Sequence, residues 1–512
     1  MFADSLDASL KLTISGTSFN VPGGNIKGFH ARVHSYGFTC RVSFIVSSEQ
    51  EKDTLFGSFT KTDLIQANLQ LTPHFPPQGA SLQPLSLTGP VTDKAILLER
   101  TVQHATLTGN PILYRHYQVQ FGDPAWVLWR QHHPFDLLVN KSMKDVIDAQ
   151  KGDQIKITYN WSALETANPI NTLPLGIETG NGSFYDFIMW YVFAQNGVWT
   201  YNTTNNSYTL SQSKSSEGQA VKVDGLDVEE CQVHFPETIR YNANLLNSYS
   251  ENPQTQNITQ DQAATGISRD YMGCYPVAQD FQNRKTLETQ RLKVRNHEVR
   301  LVFRRFPTIT FQPGSLVQLQ GGVWSDNIFP HGTTYRVRDI FLNGKPVNPE
   351  LTADHNLSFS SFNLNIEAQL ETQDEKWVSL PSFTTPSFPI FVEGKIVSEQ
   401  GDTSAETFQI YQDTNTQQDQ YKIKVPLWNN QQVPASFDPV FFSGHFYFPA
   451  YKNERVLVRL MLHSASIDRF LDWRAGARVP MDSQGNRLLM GQTSTSQTTM
   501  SHTYEDSKPV LH

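Results

Sequence analysis

Short runs in which apolar and polar residues alternate, each closed by Gly, Pro, Asn or Ser, recur from one end of this chain to the other. Alternation places every second side chain on one face, so the pattern predicts strands. "ARVHSYGFTCRVSFIVSS" reads as a strand pair about Gly37, and "YRHYQVQFG" alternates over Tyr114, His116 and Gln118. Several such runs fall within residues 1–125, and a closed barrel or sandwich is expected there because closure removes exposed strand edges. The Pro-rich "LTPHFPPQGASLQPLSLTGP" reads as a connection.

The period then changes. In "NKSMKDVIDAQKG" Ser142 can cap a helix with Asp145, and Met143, Val146 and Ile147 share one helical face. In "GSFYDFIMWYVFAQNG" Ser183 and Asp186 repeat the cap, and Phe184, Phe187, Ile188, Tyr191 and Val192 fill a face until Gly197 stops the helix. "VWTYNTTNNSYTLS" reads as a hairpin turning on Thr203 to Asn206. Residues 126–295 therefore form a small α+β insertion with helices near 142–150 and 184–195, and its Ser/Asn/Gln-rich stretch 243–265 reads as an exposed loop. Alternation returns in "VRLVFRRFPTITFQPGSLVQLQG" and "TTYRVRDIFLNGKPV", which suits a second barrel over 296–385. Residues 386–475 carry about five short strands, the number an OB barrel needs.

Composition narrows the class. At 512 residues the chain exceeds one core of roughly 150 residues. With 38% hydrophobic and 12% aromatic residues it is neither disordered nor membrane-embedded in character, and no run of about 18 apolar residues occurs. The first residues carry acids where a signal peptide carries cations, so synthesis in a cytosol is expected. Cys40, Cys231 and Cys274 are widely spaced and odd in number, which predicts reduced thiols. A net charge of -8 argues against a wholesale nucleic-acid binder.

The order of parts resembles the VgrG-type spike proteins of contractile injection systems, related to the hub and spike proteins of contractile phage tails. "DPAWVLWRQHHPFDLLVNKSMKDVIDAQ" (123–150) is similar to the end of that family's first barrel, where a Trp-containing strand leads into a short amphipathic helix. "SFYDFIMWYVFAQNGVWTY" (183–201), with Asp186 and Gly197, is similar to its second helix. "FDPVFFSGHFYFPAYKNERVLVRLMLHSASIDRFLDWR" (437–474) resembles its OB segment, with the turn at Lys452 to Val458. The tail "RAGARVPMDSQGNRLLMG" is the most specific match.

The resemblance implies a mainly β trimer: two tube-like barrels, an OB-fold barrel and an intertwined, β-helix-like tail over 476–512. It implies a central spike that adapts a hexameric inner tube to a trimeric point, with baseplate proteins, a PAAR-type tip and effector cargo as partners, and no cofactor. Such a spike is assembled in the bacterial cytoplasm, and it pierces a target membrane without being integral to it. The particle is either released or anchored at the envelope. Some relatives insert a lysozyme domain after the OB barrel or append an effector; the roughly ten residues between Trp473 and Ser483 leave no room for such an insertion, and a spike without enzymatic activity is expected.

In the tail, Leu488, Met490, Gln492, Ser494, Ser496, Thr498, Met500 and Tyr504 fall on one face of a strand read continuously from Gln484 to Tyr504. Leu488, Met490, Ser494, Ser496, Thr498, Met500 and Tyr504 are the candidate trimer or tip contacts, because a lone chain could not bury enough there to order itself. Arg291, Lys293, Arg295, Arg300, Arg304 and Arg305, in a basic run that also holds Arg284 and Lys285, form a candidate interface strip.

Sharper chemistry finds less support. His132, His133 and Asp136 could hold a metal, but adjacent strand residues face opposite ways. His30 and His34 lie in a strand. Glu406 with Asp413, or Asp468 with Asp472, could serve as the two acids of glycoside hydrolysis, yet Arg469 and Arg474 beside the latter favour ion pairs. The basic run lacks the aromatic partners of a nucleic-acid site. A peptidoglycan-cleaving spike enzyme and a β-barrel glycan-binding adhesin, the latter suggested by nine Trp, are the alternative functions.

Overall fold

A computed structural model describes residues 2–48, 53–76, 83–102, 111–176, 182–215, 217–275, 277–309, 311–320, 322–403, 405, 407–413, 419–436, 449–471, 486–493 and 496–512. It divides into two compact units: residues 1–133, 151–161 and 182–384, and residues 134–150, 162–181 and 385–512.

The first unit closes on itself through eight strands. Phe2–Ile14 pairs with Ile65–Pro73, and the ladder continues through Leu85–Val102, Ile112–Gly122, Gly37–Ser47 and Ile26–His34 to Thr334–Pro346. That strand pairs with Phe359–Thr372, which returns to Phe2–Ile14. Leu6, Leu10 and Leu12, Ala31 and Val33, and Cys40 and Val42 are buried at alternate positions, as the hydrophobic pattern predicts. The Pro-rich connection is shorter than its composition suggests, because strands occupy both of its ends.

The strands expected of a second barrel form a sheet on the same hairpin, and its outer strands Val221–Lys222 and Val228–His234 do not pair with each other among the described residues. Phe359–Thr372 pairs over 366–371 with Glu298–Phe303, which pairs with Val228–His234. At the other edge Thr334–Pro346 pairs with Leu316–Gln318, which takes Val221–Lys222 as a parallel neighbour. A bulge between Val337 and Asp339 marks the handover, since pairing with Ile26–His34 begins at Asp339. One extra residue re-aims a strand in this way. Residues 221–234, read in the sequence as part of the insertion, thus belong to this sheet.

The helix Phe184–Ala194 begins at the expected capping box, in which Ser183 Oγ accepts from the Asp186 backbone N–H and Asp186 accepts from that of Ser183. At its end Asn196, not Gly197, takes the left-handed conformation, at φ 53°. The Asn196 N–H reaches the Phe193 carbonyl and the Gly197 N–H reaches that of Val192, a Schellman closure. Gly197 is required for space: a Cβ there would lie 2.3 Å from the Trp161 ring. The hairpin Val198–Asn202/Ser207–Ser211 turns where the sequence places it. The Trp-bearing segment after the first barrel is not a strand; Pro124–Leu128 is a short helix capped by Asp123. Stretch 243–265 is also not a loop. Asn242–Asn247, Gln254–Ile258 and Ser268–Gly273 form a three-stranded sheet, whose Ala243, Leu245 and Ile258 pack on Phe281 of the helix Ala278–Arg291.

In the second unit, Ile390–Val397, Arg455–Leu460, Ala465–Phe470, Gln431–Ser436 and Asp419–Val425 close a five-stranded barrel, as the OB reading requires. A turn with Asn453 at φ 68° leads into Arg455–Leu460. Residues 437–448 of the matched OB stretch lie outside the described residues. The hairpin Phe135–Ser142/Ala167–Pro174 joins this barrel's core, where Leu137 and Ile170 are buried with Ile423, Val433 and Val458. Its helix Met143–Gln150 is bonded at the start through Ser142 and Asp145 and buries Met143, Val146 and Ile147. The stretch 126–295 is therefore divided between the two units. Truncating Leu137 to Ala should cost about 2–5 kcal/mol, and faster amide exchange should appear in Ile390–Val397, far away in sequence. Unchanged exchange there would sink this account of the core.

Candidate assembly surfaces

The tail folds back on itself. Asn486–Thr493 runs antiparallel to Ser496–Glu505, which pairs with Lys508–Leu511. The expectation of one continuous strand from Gln484 to Tyr504 is thus corrected. Asp506 and Ser507, at φ 49° and 63°, make the two-residue turn into the last strand, a conformation matched to the twist of paired strands. Residues directly opposite share a face, so Leu488 meets Met500, Met490 meets Thr498, and His502 meets Leu511. The reversal keeps Leu488, Met490, Thr498, Met500 and Tyr504 together on one face. A bulge between Gly491 and Thr493 shifts the register at Ser496, and Ser494 lies outside the described residues.

The side chains of that face are exposed among the described residues. Leu488 is 37% exposed, Met490 41%, Met500 52%, Tyr504 67% and Leu511 68%.

The basic strip is largely neutralised within the chain. The Arg291 guanidinium donates to Glu288 and to the Ala194 carbonyl, and Arg284 pairs with the same Glu288. Arg295 pairs with Glu298 and lies 3.9 Å over the Trp377 ring. Arg300 pairs with Glu367 at 2.7 Å, Arg304 with Glu229 at 2.7 Å, and Arg305 with Asp227. Lys293 alone of the six makes no hydrogen bond or ion pair among the described residues, with the Glu375 carboxylate near enough to favour its charge. An ion-pair network, not a free patch, is the better description.

Three buried or partly buried polar clusters went unread in the sequence. At the bulge, Arg338 donates to Glu298, Asp339 and Gln369, and Asp339 bonds to His34 at 2.8 Å. Burial would raise the Asp339 carboxyl, but His34 and Arg338 outweigh it and hold it below the usual range. Further along the hairpin Glu371 accepts from Lys214 at 2.6 Å and from Arg336 at 3.1 Å, and all three are largely buried. Asp123 is buried among aromatic rings, accepting from the backbone of Phe38 and Trp126 and from the Tyr208 hydroxyl. Gly37, expected as a turn, answers to this group, since a Cβ there would lie 2.3 Å from the carboxylate.

The remaining candidates separate. His132 meets the Phe184 ring and Asp136 accepts from Gln150. His30 stacks edge-on against Phe341. Asp468 bonds to Arg469 at 2.8 Å, whereas Glu406, Asp472 and Arg474 lie outside the described residues. Among the described residues no group of His, Cys, Asp and Glu is arranged to hold a metal, and no helix is long and apolar enough to cross a membrane. Cys40 is buried, Cys231 partly so and Cys274 exposed, all as free thiols.

No protein-family model matches the sequence, and comparison with curated proteins finds no match. Solved structures do match. A chain of the lidless PdpA–VgrG complex is similar over 100% of this chain and 98% of its own, at 11% identity and a TM-score of 0.69. A chain of the half-lidded Francisella PdpA–VgrG complex matches over 100% and 88%, at 12% identity and a TM-score of 0.70. The E. coli c3393 protein is described as a type VI secretion component similar in structure to the T4 bacteriophage tail proteins gp27 and gp5. It matches over 90% and 100%, at 9% identity and a TM-score of 0.51. The chain thus has a VgrG-type fold, related to that of phage tail hubs.

Burial pushes the Asp123 carboxyl up to about 6, against the hydrogen bonds that lower it. A raised acid holds its proton longer in the folded state, so its contribution to stability falls as pH rises from about 4 to about 6 and is flat above. The slope it adds amounts to roughly 3 kcal/mol across that window. Asp123→Asn should flatten it in thermal unfolding measured across pH, and an unaltered slope would refute the assignment.

Proposed function

We propose that the chain is the structural central spike of a phage-tail-like contractile injection system, a hub and puncturing tip in one polypeptide. The observation that carries the reading is the C-terminal meander following the five-stranded barrel, with an apolar face exposed among the described residues, in a chain whose whole length matches a VgrG-type fold.

The physical argument is one of symmetry. A hexameric inner tube must end in a point, and two similar sheet halves per chain, repeated in a trimer, present six quasi-equivalent surfaces to six tube subunits. Three OB barrels then narrow the assembly. Three tails, each a sheet without a core, complete one another by covering Leu488, Met490, Met500 and Tyr504. Baseplate proteins contact the hub, and a PAAR-type tip with effector cargo sits at or near the tail. The role is non-catalytic, so purified protein clearing a cell-wall substrate would overturn it.

Light scattering on the purified chain should give three times the 58.0 kDa protomer mass. A stable monomer would sink the proposal. Truncation after Ser483 should lower the trimer's melting temperature or abolish tip binding; if it changes neither, the tail has no part in assembly.

A further inference from the structure

The outer face of the five-stranded barrel carries charge that the spike reading does not use. In Ile390–Val397 the residues Phe391, Glu393 and Lys395 alternate with buried Ile390, Val392 and Ile396, so they point away from the core. Lys395 lies directly opposite Lys424 on one neighbouring strand and directly opposite Arg455 on the other. Neighbouring strands stand roughly 5 Å apart, so the three cations form a row about 10 Å long. Like charges set directly opposite each other weaken a sheet. Further along the same ladder Arg459 lies opposite Phe391.

The acids beside this face are already taken. Glu393 pairs with Arg455 at 2.9 Å, Glu399 with Lys422 at 3.1 Å and Asp468 with Arg469 at 2.8 Å. Glu454, at the turn into Arg455–Leu460, accepts from the Tyr451 backbone N–H. Lys395, Lys424 and Arg459 make no hydrogen bond or ion pair among the described residues. In a chain of net charge -8 this face is a local excess of positive charge. It also holds apolar side chains: Phe391 is 49% exposed, and Met461, two residues beyond Arg459, is 36% exposed.

We propose that this face of the barrel docks on an anionic lipid surface, with Lys395, Lys424 and Arg459 on the headgroup anions and Phe391 and Met461 entering the layer beneath them. Charge complementarity sets the sign of the partner. The apolar pair between the cations favours lipid over a wholly polar anion, because a lipid interface offers charge above and hydrocarbon below. A single-stranded nucleic acid stacks its bases on a line of aromatic rings. Here Phe391 is the one outward-facing ring of the three strands, and Lys422 lies 4.0 Å over the neighbouring Tyr411 ring. The inference is independent of the spike reading, and a chain that proved monomeric would dock in the same way.

The test is co-sedimentation of the full chain with vesicles of phosphatidylcholine mixed with phosphatidylserine, against vesicles of phosphatidylcholine alone. The mixed vesicles should pellet the protein, the neutral ones should not, and added salt should release it. Lys395→Gln/Lys424→Gln/Arg459→Gln should lower partitioning about tenfold or more. Lys11→Gln/Lys222→Gln/Lys345→Gln, which removes the same charge from exposed strand positions of the first unit, should not. The first triple variant loses no ion pair and relieves a like-charge contact, so it should melt no lower than the parent, which checks that it folds. Phe391→Ser should weaken partitioning as well. Absent or equal binding to the two kinds of vesicle, or partitioning undiminished in the first triple variant or in Phe391→Ser, overturns the proposal. Tighter binding of a single-stranded oligothymidylate than of the mixed vesicles, lost in the same triple variant, also overturns it, in favour of a nucleic-acid site.

Discussion

The strands Thr334–Pro346 and Phe359–Thr372 hydrogen-bond to each other and, between them, to four further strands: Ile26–His34, Leu316–Gln318, Phe2–Ile14 and Glu298–Phe303. Strand edges cannot be left bare without inviting aggregation, so closure of the eight-stranded ring and growth of the second sheet both depend on this hairpin. The bulge at Val337 and Asp339 divides the two obligations, and Arg338 sits inside it. Its guanidinium ties Glu298, Gln369 and Asp339 together, and Asp339 extends the tie to His34. Breaking such a buried charge network leaves an uncompensated ion, so the bulge is fixed in place and does not wander.

Much of this was legible in residue order because its signals are local. Alternation gave the strand pair about Gly37, two capping boxes gave two helix starts, and the short strands after Pro386 announced a five-stranded barrel. Long-range choices were not legible. Nothing around Leu137 or Ile170 says that their hairpin belongs with strands beyond residue 390, because a buried leucine names no partner. The helix Ala278–Arg291 was missed because it buries only Phe281 and Glu288 and is otherwise charged and amide-rich. Its neighbouring sheet was hidden for a similar reason, with a single short alternation over Ala243 and Leu245 in a polar stretch.

The candidate surfaces show the same division. Parity placed Leu488, Met490, Thr498, Met500 and Tyr504 on one face, and the reversal of the chain preserved that grouping because opposed residues in a ladder share a side. The basic run shows the other side of this division. Its cations are adjacent in sequence, but Glu229, Asp227 and Glu367, which neutralise three of them, come from other strands and turns. A charge count along the chain cannot see a counter-ion supplied by the fold.

The backbone passes from one compact unit to the other after residues 133, 150, 161, 181 and 384, five passages in all. Units joined by a single linker can be pulled apart by stretching that linker alone. Here the pair Phe135–Ser142 and Ala167–Pro174 is held in the core of the second unit while the chain between its two strands visits the first. Cutting the backbone at any one of these passages therefore leaves four covalent connections between the units in place.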